Sequence, residues 1–209
     1  MTSQDSNVEK ESDVAGSQSN QSSYQYYPIQ SLKSKTIVLD LDLTVVHTTL
    51  DCACRNHTEM EFEYVPVGPT DPSSPPPVKI GKSYVHIRPF AFKFIERCLK
   101  EGCEFVVFSA NRKPYVVKVV DILFKDFEKP VHILTEQDLI VDPKTQFYVK
   151  TLETVSQKTG IPIDRLVAID DNIYMYPNDT NVIRIAPWYN NVLLEDDDEL
   201  LKMVDRLLG

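Results

Sequence analysis

Four short runs of this chain are apolar almost throughout instead of alternating with polar residues. They are Thr36-Ile37-Val38-Leu39, Glu104-Phe105-Val106-Val107-Phe108, Leu166-Val167-Ala168-Ile169 and Asn181-Val182-Ile183-Arg184-Ile185. A strand with one wet face alternates, whereas a strand covered on both faces does not. Between the runs lie helical patterns. Phe90, Phe94, Ile95, Cys98 and Leu99 share one face, and Val116, Val119, Val120, Leu123 and Phe124 share another. Arg88-Pro89 and Pro114 stand at expected helix starts, and Gly102 and Gly160 at expected ends, with a third helix over Leu152 to Lys158. The order strand, helix, strand, helix predicts an α/β fold with a doubly wound parallel sheet. Right-handed crossovers then bring the strand ends to one edge. A last helix is expected from about Asp196 to Leu208, its acidic start suiting the helix dipole.

The remaining segments divide the chain. Residues 1–31 hold fifteen Ser, Gln or Asn and almost no aliphatic side chains, so residues 1–34 are expected to be a disordered tail and 35–209 the folded domain. The first strand is expected over about 36–42, followed by an irregular stretch over 47–83. Within it Phe62 to Val67 and Val78 to Ile87 read as strands of a small antiparallel insertion, joined by a proline-rich loop from Gly68 to Pro77.

Charge and composition exclude several classes of function. A net charge of −9 argues against broad nucleic-acid binding, which needs a positive field. No run of 18 apolar residues is present, so no membrane span is expected. Met1-Thr2-Ser3-Gln4-Asp5 lacks the pattern of a secretory signal, and the four cysteines are therefore expected to be reduced thiols. Cys52, Cys54 and His57 lack a second ligand pair at zinc spacing, which leaves a loop thiol or a zinc site open; Cys98 fits the buried face of a helix.

Polar groups follow the apolar runs at four places: Asp40, Asp42 and Thr44; Ser109 with Ala110; Lys150; and Asp170-Asp171. In a parallel sheet all four can meet at the C-terminal edge, where ligands bind in open α/β folds. Two acids as close as Asp40 and Asp42 repel unless a cation or shared proton relieves them. Carboxylates from two strand ends suit Mg²⁺, a hard ion that takes few protein ligands and keeps waters for a phosphate. A serine hydroxyl and a lysine ammonium donate to phosphate oxygens. One aspartate can attack phosphorus while another manages protons.

At this point the residues resemble the haloacid dehalogenase (HAD) superfamily, and more narrowly its RNA polymerase II carboxy-terminal-domain phosphatases, the small phosphatase and NLI-interacting-factor group. Ile37 to His47, Ile87-Arg88-Pro89, Val107-Phe108-Ser109-Ala110, Tyr148 to Leu152, Ala168 to Asn172 and Ile185-Ala186-Pro187-Trp188 carry the likeness, which spans roughly 35–208. The resemblance implies roles. Asp40 would be nucleophile and Mg²⁺ ligand, and Asp42 the general acid and base, with its backbone carbonyl on the metal. Thr44 would shape the phosphate loop, and Ser109-Ala110 and Lys150 would bind the phosphoryl group. Asp170 and Asp171 would complete the metal site, Asp171 binding the metal directly or through water and Asp170 steadying Lys150, with the choice of direct ligand between them open.

The implied function is a Mg²⁺-dependent protein serine/threonine phosphatase. Its substrate would be phosphoserine in a flexible peptide such as the RNA polymerase II C-terminal domain, in the nucleus or cytoplasm, with no direct nucleic-acid or membrane partner. Two departures stand out. Ser109-Ala110-Asn111 replaces a commoner threonine-led motif, and the stretch from Cys52 to Pro77 is longer than in compact members. A non-catalytic peptide-binding module of the same fold and a HAD phosphatase of small metabolites remain alternatives; no large cap is expected. His47 and His86 lie near the site and are read as structural, as are Trp188 and Tyr189.

Overall fold

The computed structural model describes residues 31–50, 75–177, 179–189 and 197–208. The expected tail through residue 30, the Cys52, Cys54 and His57 group, the strand at 62–67, most of the proline-rich loop and Asp196 lie outside the described residues.

A five-stranded parallel sheet forms the centre, built from β1 (Thr36–Leu39), β5 (Glu104–Phe108), β6 (His132–Leu134), β9 (Leu166–Asp170) and β10 (Val182–Arg184), in the order β10-β9-β1-β5-β6. The two faces of each core strand enter different cores. Ile37, Leu39, Phe105, Val107, Val167 and Ile169 pack with α1 (Ala91–Lys100), α2 (Lys113–Leu123) and α4 (Glu199–Leu208). Val38, Val106, Phe108, Leu166 and Ala168 pack on the other face with Leu152 and Val155 of α3 (Leu152–Thr159). Burial on both faces is why these strands read as unbroken apolar runs. Among the described residues no helix is long and apolar enough to cross a membrane.

Helix boundaries follow their caps. α1 ends in a Schellman arrangement: the Gly102 N–H bonds the Leu99 carbonyl at 3.0 Å, and the Cys103 N–H reaches the Cys98 carbonyl at 3.0 Å. Gly102 takes a φ of 75°, where a side chain would be strained. The start of α1 differs from expectation. Phe90, at φ 62°, turns the chain in the left-handed region, so the helix begins at Ala91 and not at Arg88-Pro89. α3 is capped by Thr151, whose side chain accepts from the Thr154 N–H at 3.0 Å.

Two further sheets lie outside the central one. β2 (Val46–Leu50) pairs antiparallel with β4 (Ser83–Ile87), which pairs with β3 (Val78–Ile80). β2 occupies part of the stretch expected to be irregular. Its His47-Thr48-Thr49 centre is polar because these residues are only half-buried. β7 (Ile140–Val141) and β8 (Tyr148–Val149) form a short hairpin that carries no strong apolar signal. The first strand stops at Leu39, short of residue 42, because the Leu41 carbonyl then collects the N–H groups of Thr44, Val45 and Val46 at 3.2, 2.9 and 3.0 Å. That knot, with Leu43 at φ 65°, reverses the chain into β2. The last helix begins at Glu199 because Asp197 is turned inward to bond Arg88.

Candidate active site

Strand register sets the geometry. Leu39 sits beside Ile169 on one side and Val107 on the other, so Asp40 and Asp170 leave adjacent strands at the same level. The Asp40 N–H still bonds the Ile169 carbonyl at 3.0 Å, which holds the two chain exits together. Both acids therefore project from the C-terminal edge, next to Asp171. One carboxylate oxygen from each of Asp40, Asp170 and Asp171 lies within 4.8 Å of the other two.

Lys150 enters from the junction of β8 and α3. Its backbone is fixed on both sides: its N–H bonds the Met175 carbonyl at 2.7 Å, and Thr151 behind it caps α3. The buried ammonium donates to Asp40 Oδ1 at 2.6 Å and Asp170 Oδ2 at 2.7 Å. It also lies 5.7 Å from the ring centre of Phe108 and 5.9 Å from that of Tyr176, within cation–π range. Burial disfavours the charged lysine, but the Asp40, Tyr176 and Asp170 groups outweigh it and raise its pKa, so the ammonium persists at neutral pH. Burial and then the charge of Asp40 push Asp170 upward, against the pull of Lys150. Asp171 is raised by the same two causes, while Thr44 holds it down. The Tyr176 hydroxyl is buried beside this group without a hydrogen-bond partner among the described residues.

Thr44 ties the first turn to the end of β9. Its hydroxyl accepts from the Asp171 N–H at 3.0 Å and lies 3.4 Å from Asp171 Oδ1. Asp170 is engaged at both oxygens, since Oδ1 accepts from the Asn172 N–H at 2.8 Å while Oδ2 holds Lys150. Ser109, buried at the end of β5, accepts from the Asn111 N–H at 3.2 Å and donates its own N–H to the Leu134 carbonyl at 3.1 Å; exposed Ala110 follows.

Asp42 stands apart from the carboxylate group. Tyr115 donates to its Oδ1 at 2.6 Å and Asn111 to its Oδ2 at 2.8 Å. Burial raises its pKa and Asp40 adds to that, while Tyr115 and Asn111 pull it back. Sequence reasoning missed both partners. Asn111 lies in the turn before α2 and Tyr115 in its first turn, so no single periodicity joins them.

Arg88 is the other residue whose work was missed. Its guanidinium pairs with Asp197 at 2.9 Å and bonds the Thr44 and Ala186 carbonyls at 3.0 and 2.9 Å, all in a buried setting. It therefore anchors the turn that carries Asp42 and Thr44. Trp188 is buried and donates its backbone N–H to the Leu43 carbonyl at 2.8 Å, whereas Tyr189 is half exposed. His47 and His86 oppose one another across β2 and β4, with His86 against the Thr49 hydroxyl at 3.1 Å. Burial lowers both imidazoles.

Comparisons with known proteins agree with this architecture. The model of the NLI interacting factor-like phosphatase family matches residues 35–208. A probable C-terminal domain small phosphatase of Dictyostelium discoideum is 30% identical over 176 residues, 83% of this chain and 49% of that protein. The chain thus spans about half the length of that relative. Among solved structures, Fcp1, an essential RNA polymerase II CTD phosphatase, matches 83% of this chain and 50% of its own, with a TM-score of 0.53 and 18% identity. Fission yeast Fcp1-R271A bound to beryllium fluoride matches 83% and 51%, with a TM-score of 0.50 and 18% identity. At that identity the two structures bear on the fold, which is the HAD-like α/β arrangement. With most of the folded part matched by one family model, the chain belongs to the NLI interacting factor-like phosphatase family.

Proposed function

We propose that this chain is a Mg²⁺-dependent protein phosphatase that passes the phosphoryl group through Asp40. The observation that carries the reading is the contact of one buried ammonium with two carboxylates, 2.6 Å from Asp40 and 2.7 Å from Asp170, with Asp171 in the same cluster. Three carboxylates against one ammonium leave a formal charge of −2, with Asp40, Asp170 and Lys150 buried and Asp171 partly open to solvent. Oxygen donors with excess negative charge fit a hard divalent cation, so Asp40, Asp171 and the Asp42 backbone carbonyl would hold Mg²⁺. Asp171 is the better direct ligand of the β9 pair, because both Asp170 oxygens are already engaged by Lys150 and Asn172. When bound, Mg²⁺ supplies neutralisation of phosphate charge and orientation of the ester.

The chain's own groups then account for both steps. An Asp40 carboxylate oxygen attacks phosphorus, the bond from phosphorus to the serine or threonine oxygen breaks, and Asp42 gives that oxygen its proton. Water next attacks the aspartyl-phosphate, Asp42 takes a proton from it, and the bond from phosphorus to Asp40 breaks to release phosphate. Lys150 stabilises negative charge in both steps and keeps Asp40 aimed. Ser109 and the Ala110 N–H lie at the neighbouring strand end, suited to the phosphoryl oxygens. Thr44 keeps the turn in register with Asp171. The substrate we favour is phosphoserine in a flexible peptide, such as the RNA polymerase II C-terminal domain, and the setting nuclear or cytosolic.

The test is direct. Asp40→Asn, with folding verified by thermal unfolding, should abolish phosphate release from p-nitrophenyl phosphate, and chelation should do the same to the wild type. Wild-type turnover in Asp40→Asn would end the proposal. A panel of phosphoserine heptad peptides and sugar phosphates separates a protein phosphatase from a phosphatase of small metabolites.

A further inference from the structure

The bonds around Asp42 form a chain that reaches well beyond the carboxylate. Thr48 on β2 lies 2.7 Å from the Tyr115 hydroxyl, which lies 2.6 Å from Asp42 Oδ1. Asn111 occupies Asp42 Oδ2 at 2.8 Å, and its own backbone N–H is held by the Ser109 hydroxyl at 3.2 Å. Once Asp42 has given up its proton and awaits the one from water, it is an ionised carboxylate that only accepts, so the Tyr115 hydroxyl donates to it. Its oxygen then receives the Thr48 hydroxyl proton. In that state the directions of the Thr48–Tyr115–Asp42 bonds are fixed.

We infer that Tyr115 and Asn111 are positioning residues for Asp42, and that Thr48 sets the Tyr115 hydroxyl in place. The inference rests on the phosphatase reading above and deepens it at one residue. The turn carrying Asp42 has no regular strand to orient the side chain: β1 has ended at Leu39, and Leu43 is already in the left-handed region. A carboxylate on such a turn has several rotamers open to it. Pinning one oxygen from the first turn of α2 and the other from the turn before it leaves one rotamer. Charge-assisted bonds from neutral donors are stronger than neutral pairs, so the two contacts suffice to choose a rotamer. Placement matters because a proton donor must lie within hydrogen-bond reach of the leaving oxygen.

A bland alternative exists. The Tyr115 ring packs against the main core, and its hydroxyl could be no more than a satisfied polar tip. The two roles separate by leaving group. A nitrophenolate departs without help, whereas phenolate needs some protonation and a serine alkoxide needs most. Loss of Asp42 placement therefore harms esters of basic alcohols selectively, while loss of packing harms all esters alike.

The experiment measures kcat/KM of the full chain with Mg²⁺ on p-nitrophenyl phosphate, phenyl phosphate and a phosphoserine peptide. Tyr115→Phe, which keeps the ring, should lower kcat/KM on the phosphoserine peptide by about 30-fold, a part of what general acid catalysis contributes. Its loss on p-nitrophenyl phosphate should be only a few-fold, so the dependence on leaving-group basicity steepens. Thr48→Val should steepen it less, and Thr48→Ser, which keeps the donor, should hold the wild-type slope. An unchanged slope in Tyr115→Phe overturns the inference, whatever the overall loss. If the wild type hydrolyses none of the three esters, the phosphatase reading fails and takes this inference with it.

Discussion

Two buried ion groups flank the same turn, and they are built on opposite principles. On one side Arg88 meets Asp197 at 2.9 Å, and the rest of its fork bonds the Thr44 and Ala186 carbonyls. Charge there is balanced, and every described contact of the guanidinium is satisfied. On the other side Lys150 meets Asp40 and Asp170, with Asp171 close by, and the balance is −2. Buried charge is tolerated when paired and fully bonded, and is costly when not. The Arg88 group thus needs nothing more than the fold. The Lys150 group holds an excess that folding alone does not require, and that excess is what a cation and a phosphoryl group would engage. The charge left over, and not the mere presence of buried ions, separates a site from a staple.

The sharpest way to break this contrast is to remove each cation. Lys150→Met keeps the apolar stem and deletes the charge. Turnover of p-nitrophenyl phosphate should fall by about 10²–10³-fold, the usual effect of losing one charge-stabilising donor. Turnover within threefold of wild type would show that the cluster is not catalytic. Arg88→Met should act on stability first. Asp197 is left buried and unpaired, so chemical denaturation should show a loss of about 3–5 kcal/mol. Its activity per folded molecule should fall less than that of Lys150→Met. Asp170→Asn supplies the control: in chelator it reduces the excess negative charge, and its unfolding free energy should match or exceed wild type. Equal destabilisation by Asp170→Asn and Arg88→Met would erase the distinction between the two groups.

Much of this contrast was legible in the sequence, and unevenly so. The parallel sheet could be read because β1, β5 and β9 are buried on both faces, and a strand with one wet face would have broken each run with polar residues. Asp40 and Asp170 could be placed together because neighbouring parallel strand ends share one edge, whereas Lys150, at the junction of β8 and α3 outside that sheet, was singled out only as a polar residue at a helix start and by the family resemblance. β2 was missed since His47-Thr48-Thr49 is half-buried and lacks that signature. Arg88 was seen as a helix start and as part of a motif that carries the resemblance but was given no partner, and the acidic run near Asp197 was seen only as a dipole partner. Their pairing joins residues 109 positions apart, which periodicity cannot reveal. Tyr115 looked like one more residue on a helix, because nothing local says that its hydroxyl points at Asp42.

Metal binding sharpens the contrast further. Mg²⁺ at 100 times its Kd should stabilise the wild type by about 2.7 kcal/mol in thermal or chemical unfolding. Asp171→Asn should lose most of that gain, while Arg88→Met should retain it from a lower baseline. A gain unaffected by Asp171→Asn would place the ion elsewhere.

The smallest effect concerns pH. In chelator, burial and the charge of Asp40 hold Asp170 and Asp171 above the ordinary carboxylate range. Between the unfolded and folded values the native state therefore carries more protons than the unfolded chain. Stability then falls as pH rises through that window, and the penalty is complete above it. Each unit of difference is worth about 1.4 kcal/mol, and Asp171, half open to solvent, contributes the lesser share, so these two carboxylates contribute a decline of about 1–2 kcal/mol from pH 5 to pH 8, against which the lowered His47 and His86 work in the opposite direction. Denaturant titrations across that range, run in chelator, read it directly. Asp170→Asn should flatten the decline, because the residue lifted most is gone. Saturating Mg²⁺ should flatten it as well, since a cation beside the carboxylates favours their charged form and brings the folded values down. Because the lowered His47 and His86 gain stability over the same range, the deciding quantity is the difference between metal-free wild type and Asp170→Asn; a difference that stays constant from pH 5 to pH 8 would mean that Lys150 already neutralises the cluster, and the excess charge that distinguishes it from the Arg88 group would not exist.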